Sequence, residues 1–355
     1  MRGSSRVTRS LAVLVAGLLA GTLAGCGGGS ATKPVKVGTV LGGRAKVLDG
    51  RKVAVKLPIG TVDFQVTGPT RTLGKGQTDE FKELSGGDDV RFVGVSWTYD
   101  RFDYPDATQL TLQRRVHDVR VWLVADDHRY QIDGLEYLRT GIGDAAWVAV
   151  PARTERLRLA VEYDGLTQLL DPVTGRLDTD DAESQRAAPL YQDLPVAAEQ
   201  KCPKVVKQQQ GVDYNYGCTV HSAVVTPYAD GVGWAPDGQE WVAVDLALYF
   251  QEPPYWRLDV QYDVTPTRRA FNLNGADVKA TLFQHWDGTN DAALLVFPTP
   301  TPAQGQGQSD EYRLGGSLRY VGRVEKQLGD GRGFPTKPVF DVDLDFPVRF
   351  SAATS

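Results

Sequence analysis

The stretch RLRLAVEYDGLTQLL, from Arg156 to Leu170, decides the fold class of this chain. Across Arg156–Tyr163 large apolar side chains alternate with charged or small ones, and a period of two is typical of a β-strand buried on one face. Asp164–Gly165 is a two-residue turn signal, and Leu166–Leu170 continues in extended style. The stretch therefore predicts an antiparallel β-hairpin.

Strands and turns of the same kind recur before this hairpin. Asp126–Asp127 is a turn between the predicted strands Val119–Ala125 and His128–Ile132, and Asp49–Gly50 predicts a further hairpin between 44–48 and 52–57. Val90–Tyr99 carries apolar residues on both faces, which is typical of a buried strand. The predicted strands of the first half are Lys52–Leu57, Thr61–Val66, Val90–Tyr99, Val119–Ala125, His128–Ile132, Ala145–Val150, Arg156–Tyr163 and Leu166–Leu170.

The second half repeats this organisation. Val90–Tyr104 and Val242–Trp256 are both apolar strands that end in aromatic clusters, and no convincing long helical period follows residue 25. Short strands at close spacing predict an all-β chain of two tandem immunoglobulin-like antiparallel β-sandwiches. We expect these sandwiches at 35–176 and 201–351, joined by a linker at 177–200. The predicted strands of the second half are Thr219–Val225, Glu240–Phe250, Tyr255–Tyr262, Val278–Trp286, Ala292–Phe297, Leu318–Val324 and Val339–Phe350.

Residues 1–25 have the pattern of an export signal. Three arginines precede the apolar run Leu11–Thr22, which is shorter than the roughly 20 residues that span a bilayer. Leu23–Cys26 resembles the bacterial lipobox, in which the cysteine receives a diacylglycerol and the chain is cut before it. We therefore predict a lipoprotein signal peptide at 1–25, membrane lipid on Cys26 and a flexible tether at 26–34. The alternative is an ordinary secretory signal with an incidental cysteine.

This pattern predicts a protein on the outer face of the cell membrane. Loss of the three arginines in residues 1–25 changes the formal charge from −5 to −8. Nucleic-acid binding requires clustered Lys and Arg, so we expect no nucleic-acid partner. No second apolar run is long enough for a transmembrane helix.

A family resemblance agrees with this location. Trp147–Pro151, Arg156–Leu159 and Tyr163–Gly165 resemble the closing strands of immunoglobulin-like modules in Gram-positive, actinobacterial-type lipoproteins of unknown function. In those modules a valine-proline corner precedes the last edge strand, and Val119–Ile132 is similar to their central hairpin. The resemblance covers the later part of the first predicted sandwich and the second only loosely. It implies fold and location, not activity.

Cys202 and Cys218 are the cysteines that remain in the exported part of the chain. A disulfide between them is the expected state in an oxidising compartment. A metal site or two free thiols are the alternatives, although only His221 lies close in sequence. We expect the disulfide.

Polar motifs offer little chemistry. Gly94–Thr98 lacks the final glycine of a nucleophile elbow. Asp126–His128 is more simply a hairpin turn than a set of metal ligands, and Asp178–Glu183 is a solvated acidic linker rather than a calcium loop. We expect no metal, no cofactor and no enzymatic activity. A hydrolase with dispersed carboxylates stays an alternative, because carboxylate separation is a spatial property.

Aromatic residues near strand ends are the binding candidates. They are Phe102 and Tyr104 after one strand, Tyr255 and Trp256 at the matching place, and Trp234 in a Gly-rich loop. Exposed rings stack on sugars or anchor protein partners, whereas buried rings fill a sandwich core. The sequence thus predicts a non-enzymatic binding or scaffold role toward an unknown envelope protein or glycan. A carbohydrate-binding module for cell-wall glycan is the alternative.

Replacement of Cys26 by serine tests the anchor. We expect metabolic labelling with an alkyne-bearing palmitate to mark the wild-type chain and not Cys26→Ser, because the serine hydroxyl forms no thioether. A chain with both Cys202 and Cys218 replaced by serine is the matched control and should keep the label. Equal labelling of the Cys26→Ser chain would contradict the prediction.

Overall fold

Antiparallel β-sheets make up most of the described chain. The computed structural model describes residues 35–44, 47–101, 119–133, 135, 143–209, 212–251, 260–286, 290–301, 310–327 and 333–351. Within these residues the helices are α1 (Ala182–Ala187) and a 3₁₀-helix (Ala188–Tyr191). The prediction of an all-β chain with antiparallel sheets is confirmed.

Two sheets form from the first half. Buried side chains from both sheets, among them Phe64, Val95, Leu123 and Leu159, share one core. The five-stranded sheet has the order β1-β9-β6-β3-β2, with β1 (Val40–Gly42), β2 (Arg51–Leu57), β3 (Gly60–Val66), β6 (Val90–Arg101) and β9 (Asp144–Pro151). The four-stranded sheet has the order β11-β10-β7-β8, with β7 (Val119–Ala125), β8 (His128–Ile132), β10 (Leu157–Tyr163) and β11 (Leu166–Leu170). A short ribbon pairs β4 (Thr72–Leu73) with β5 (Leu84–Ser85).

The hairpin predicted across Arg156–Leu170 is present as β10 and β11. Tyr163 pairs with Leu166 across the turn. Asp164 and Gly165 have φ angles of 47° and 76°, the left-handed values that a tight hairpin of this hand requires. Alternate side chains of β10 are fully buried in the shared core. Local turn chemistry and strand periodicity agree here, and the prediction is confirmed.

The hairpin predicted at Asp49–Gly50 is wrong. β2 pairs instead with β3, and Leu57 lies opposite Gly60 across Pro58–Ile59. The N–H of Leu48 donates to Ser96 Oγ at 3.0 Å, because the chain before β2 crosses the outer face of the sheet. A side chain at Gly50 would come within 2.7 Å of the Val66 carbonyl. This glycine therefore serves a close backbone approach rather than a hairpin turn.

The second half forms two sheets, of seven and four strands, around a second core that includes Val220, Leu246 and Phe340. In the first sheet β15 (Val212–Thr226) carries three short edge strands, β12 (Val196–Ala197), β13 (Gln200–Lys201) and β14 (Val205–Gln209), and continues to β18 (Gln239–Gln251), β22 (Asn290–Pro300) and β21 (Ala280–His285). The second has the order β20-β19-β23-β24, with β19 (Val260–Leu273), β20 (Ala276–Asp277), β23 (Glu311–Gln327) and β24 (Val339–Arg349). A ribbon pairs β16 (Tyr228–Ala229) with β17 (Gly233–Trp234).

Side chains satisfy the backbone at exposed sheet edges. Ser184 Oγ and Glu183 Oε2 of α1 accept from the N–H groups of Leu169 and Thr167 on edge strand β11, both at 2.8 Å. The hydroxyls of Tyr214 and Tyr216 donate to backbone carbonyls on edge strand β24. Edge strands with unpaired backbone groups recruit other chains, so these contacts protect the sheets from further pairing.

Replacement of Ser184 by alanine tests this protection. Ser184 is fully buried, and its loss leaves the Leu169 N–H without its acceptor. We expect the free energy of unfolding to fall by about 1–3 kcal/mol in a denaturant titration. Ser222→Ala, at a half-buried serine on β15, is the control and should change stability by less than about 0.5 kcal/mol. Equal stability of both variants would contradict the edge-capping role.

Candidate functional site

Four of the predicted binding residues, Phe102, Tyr104, Tyr255 and Trp256, lie outside the described residues, as does Cys26. Their roles stay predictions. The aromatics that end the described part of β6 belong to the first core, with Trp97 4% and Tyr99 7% exposed.

Trp234 is held by internal contacts. Its Nε1–H donates to the Tyr163 carbonyl at 2.9 Å, and its ring meets that of Tyr228 edge-on with centroids 5.2 Å apart. The indole is half-buried against the first core. These contacts use the indole N–H, and a ligand-binding role for Trp234 stays a prediction.

Tyr228 is the centre of the contact between the two halves. It is fully buried and packs in the first core, although β16 follows the second-half strand β15. Its hydroxyl donates to Asp164 Oδ2 at 3.0 Å, and its ring lies edge-on to Tyr163 at 5.6 Å. Burial raises the pKa of this phenol well above its usual range, and nearby Asp164 raises it further. The β16–β17 ribbon therefore joins the two halves through a neutral tyrosine and an indole.

The acidic motifs have structural roles. Asp181 caps α1, with Oδ2 accepting from the Ser184 N–H at 2.8 Å. Asp126 Oδ1 accepts from two backbone N–H groups at 155 and 156. Across the described residues, no group of three or more His, Cys, Asp or Glu side chains is placed to hold a metal ion.

Cys202 and Cys218 form the disulfide that the sequence predicts, with Cα atoms 5.1 Å apart. The N–H of Cys202 also donates to the Cys218 carbonyl at 3.0 Å. The bond lies where the edge of the sheet passes from β13 to β14. It fixes the connecting segment Lys201–Lys204 against β15.

A groove of about 350 Å³ lies beside this disulfide. Tyr249 on β18 lies directly opposite Gly217 on β15, and its neighbours Leu248 and Phe250 are buried in the second core. The Tyr249 ring therefore lies on the outer face of the sheet. Within the part of the chain that the structure describes, no atom lies within 4 Å of a Cβ placed on Gly217, so this part of the floor is bare. The residues that line the groove are Lys201, Cys202, Lys204, Asn215, Gly217, Cys218, Thr219 and Tyr249.

Polar groups that lack internal partners converge on the groove. Within the described chain, neither Lys201 nor Lys204 forms an ion pair, and the side chains of Asn215 and Tyr249 form no hydrogen bond. The described residues that line the groove include no carboxylate. The groove therefore offers ammonium and amide donors, an aromatic ring and a hydroxyl to a ligand.

A second cleft, of about 280 Å³, lies beside α1. Its arginine, Arg186, already donates to the Ala235 carbonyl at 2.9 Å and pairs with Asp237 at 3.3 Å. Because that charge is neutralised within the protein, this cleft is a weaker candidate than the groove beside the disulfide.

Sequence reasoning missed the groove. Lys201 and Lys204 flank Cys202, and Tyr249 is an aromatic residue at an outward position of a strand whose other face is apolar. The sequence signal for the groove is Tyr249, an aromatic residue at a position where the alternating pattern of its strand places side chains away from the core. Tyr249 lies near Lys201 and Lys204 only because of the order of the strands in the sheet, which the local sequence pattern does not reveal.

No family model, curated protein or solved structure matches this chain. Among the described residues, no helix is both long enough and apolar enough to cross a membrane.

Removal of the disulfide tests its structural role. The Cys202→Ser, Cys218→Ser double variant should lose about 3 kcal/mol of unfolding free energy, because the open loop regains entropy in the unfolded chain. Denaturant titrations of the wild-type chain with reductant should give the same loss. The double variant should be insensitive to reductant, and wild-type stability that does not change on reduction would contradict this role.

Proposed function

We propose that this chain is a lipid-anchored protein of the cell envelope with a non-enzymatic binding or scaffold role. Cys26 carries the lipid, and two tandem immunoglobulin-like β-sandwiches lie outside the membrane. The lipobox-like segment Leu23–Cys26 supports the anchor. Two pairs of antiparallel sheets, each pair around its own core, support the sandwich interpretation.

The groove beside the disulfide carries the binding role. Within the described chain its donors form no ion pair or side-chain hydrogen bond, whereas Arg319 pairs with Asp341 at 2.7 Å and Arg120 with Glu162 at 3.2 Å. Polar groups that converge on a concave surface are typical of a ligand site. Among the described residues, the lining has neither histidine nor carboxylate, the residue types most used for general acid–base chemistry. The groove therefore favours binding over catalysis.

The contact at Tyr228 supports a scaffold role. Its hydroxyl and the Trp234 indole N–H each bond to the turn region of the β10–β11 hairpin. Relative motion of domains is the default unless their interface is large and hydrophobic, and the fully buried Tyr228 ring supplies an apolar contact between the two halves. This contact would limit bending between the two sandwiches.

Carbohydrate binding is the second candidate function. The Tyr249 ring lies on an open sheet face, and the Asn215 amide offers both a donor and an acceptor to sugar hydroxyls. The alternative of a hydrolase with dispersed carboxylates gains no support from this groove.

A blocking substitution tests the proposed function. We expect the full chain, purified in detergent after export, to bind to isolated cell envelopes. The envelopes come from a strain of the source organism that lacks this protein. Gly217→Phe should abolish retention, because its ring would occupy the open floor. Gly68→Phe is the matched control at another glycine with open space around its Cβ position, and it should be retained like the wild type. Equal retention of both variants, or no retention of the wild type, would contradict the proposal.

A further inference from the structure

We propose that the groove beside the disulfide binds an anionic saccharide. Lys201 and Lys204 would hold its carboxylate or phosphate group, and a sugar ring would lie on Tyr249. This inference rests on the proposed function and names the ligand class of the same site.

The charge of the groove stands apart from its surroundings. The chain without residues 1–25 is acidic, with a formal charge of −8 after loss of three arginines from −5. Lys207, three positions after Lys204, lies 3.7 Å from an Asp343 carboxylate oxygen. Lys201 and Lys204 have no such partner within the described chain. Two unpaired ammonium groups, with no carboxylate among the described lining residues, favour an anion.

The remaining side chains fit a sugar. The Tyr249 ring beside the bare Gly217 position offers a flat apolar surface, and aromatic rings of this kind stack on the apolar face of a pyranose. Asn215 and the Tyr249 hydroxyl both donate and accept hydrogen bonds, as sugar hydroxyls do. One ring, one amide and two cations thus match a saccharide that carries an acid group.

The size of the groove favours a small ligand over a protein partner. Its volume of about 350 Å³ falls within the range of small-molecule sites. A stable protein interface needs about 800 Å² from each partner. A single aromatic ring in an acidic chain also differs from the series of stacking rings in a basic groove that single-stranded nucleic acids require.

The disulfide positions the two cations. Lys201 and Lys204 flank Cys202 and Pro203, and the bond to Cys218 fixes this segment against β15. Disulfides form in oxidising compartments outside the cytosol. The site is therefore complete only after export, which matches a ligand found outside the cell.

Titration calorimetry on the full chain in detergent tests the ligand class. The probes are a uronic-acid trisaccharide, the neutral hexose trisaccharide of the same linkage, and glucose 1-phosphate. We expect at least one acidic probe to bind roughly tenfold or more tightly than the neutral one. Comparison of the uronic-acid trisaccharide with glucose 1-phosphate shows whether the site prefers a carboxylate or a phosphate. Binding should weaken when NaCl rises from about 50 mM to about 500 mM. Equal affinity for the neutral probe, or no binding by any probe, overturns the inference.

Paired variants assign the roles. Lys201→Gln with Lys204→Gln should lower affinity for the acidic probe roughly tenfold or more, and Tyr249→Leu should weaken binding of the trisaccharide. Lys75→Gln with Lys82→Gln removes the same charge at two exposed positions of the first half and should leave affinity unchanged. Thermal unfolding of each variant checks that it is folded. Unchanged affinity in a folded Lys201/Lys204 variant overturns the inference.

Different results overturn the proposed envelope role and the proposed ligand class. Retention by envelopes without binding of acidic saccharides overturns the ligand class and leaves the envelope role in place. Binding of an acidic saccharide without retention by envelopes overturns the proposed function. Reduction of the disulfide should release the acidic saccharide from the wild-type chain, and undiminished binding in the reduced, folded chain overturns the positioning role of Cys202.

Discussion

Backbone groups along the edges of a β-sheet need hydrogen-bond partners, and much of this structure serves that need. On β11 the partners come from α1, where Ser184 Oγ accepts from the Leu169 N–H at 2.8 Å. On β2 the Lys56 carbonyl accepts from Gln168 Nε2 at 3.0 Å, and Tyr191 in turn holds Gln168 at 2.7 Å. Buried polar groups without partners cost stability, so these contacts favour sheets that end within the chain rather than pair with another.

Small hydrophobic clusters cover parts of the outer faces of the sheets. A small core that includes Phe92 and Trp147 covers part of the five-stranded sheet, and another that includes Trp241 and Leu294 covers part of the sheet built on β15. The part of the β15 sheet near Lys201, Gly217 and Tyr249 is different, because its side chains border an open groove. Within the described chain, the donors that border this groove form no ion pair or side-chain hydrogen bond.

Sequence reasoning succeeded where neighbours in the chain decide the structure. Arg156–Leu170 forms a hairpin because periodicity and turn chemistry agree, and Cys202 and Cys218, the two cysteines that follow Cys26, form the predicted disulfide. It failed at Asp49–Gly50, where glycine permits a close approach to Val66 from a distant strand. The groove escaped for a related reason, since Lys201, Gly217 and Tyr249 meet only through the pairing of three strands.

The most direct test of the groove as the binding site is amide chemical-shift mapping of the labelled full chain with a uronic-acid trisaccharide. We expect saturable shift changes to concentrate on the amides of Lys201, Cys202 and Lys204 and of residues 215–219 and 247–250, and we expect the amide of Trp234 not to shift. Shift changes that centre on the Trp234 ribbon or on the cleft beside Arg186, with the groove unaffected, would contradict this expectation.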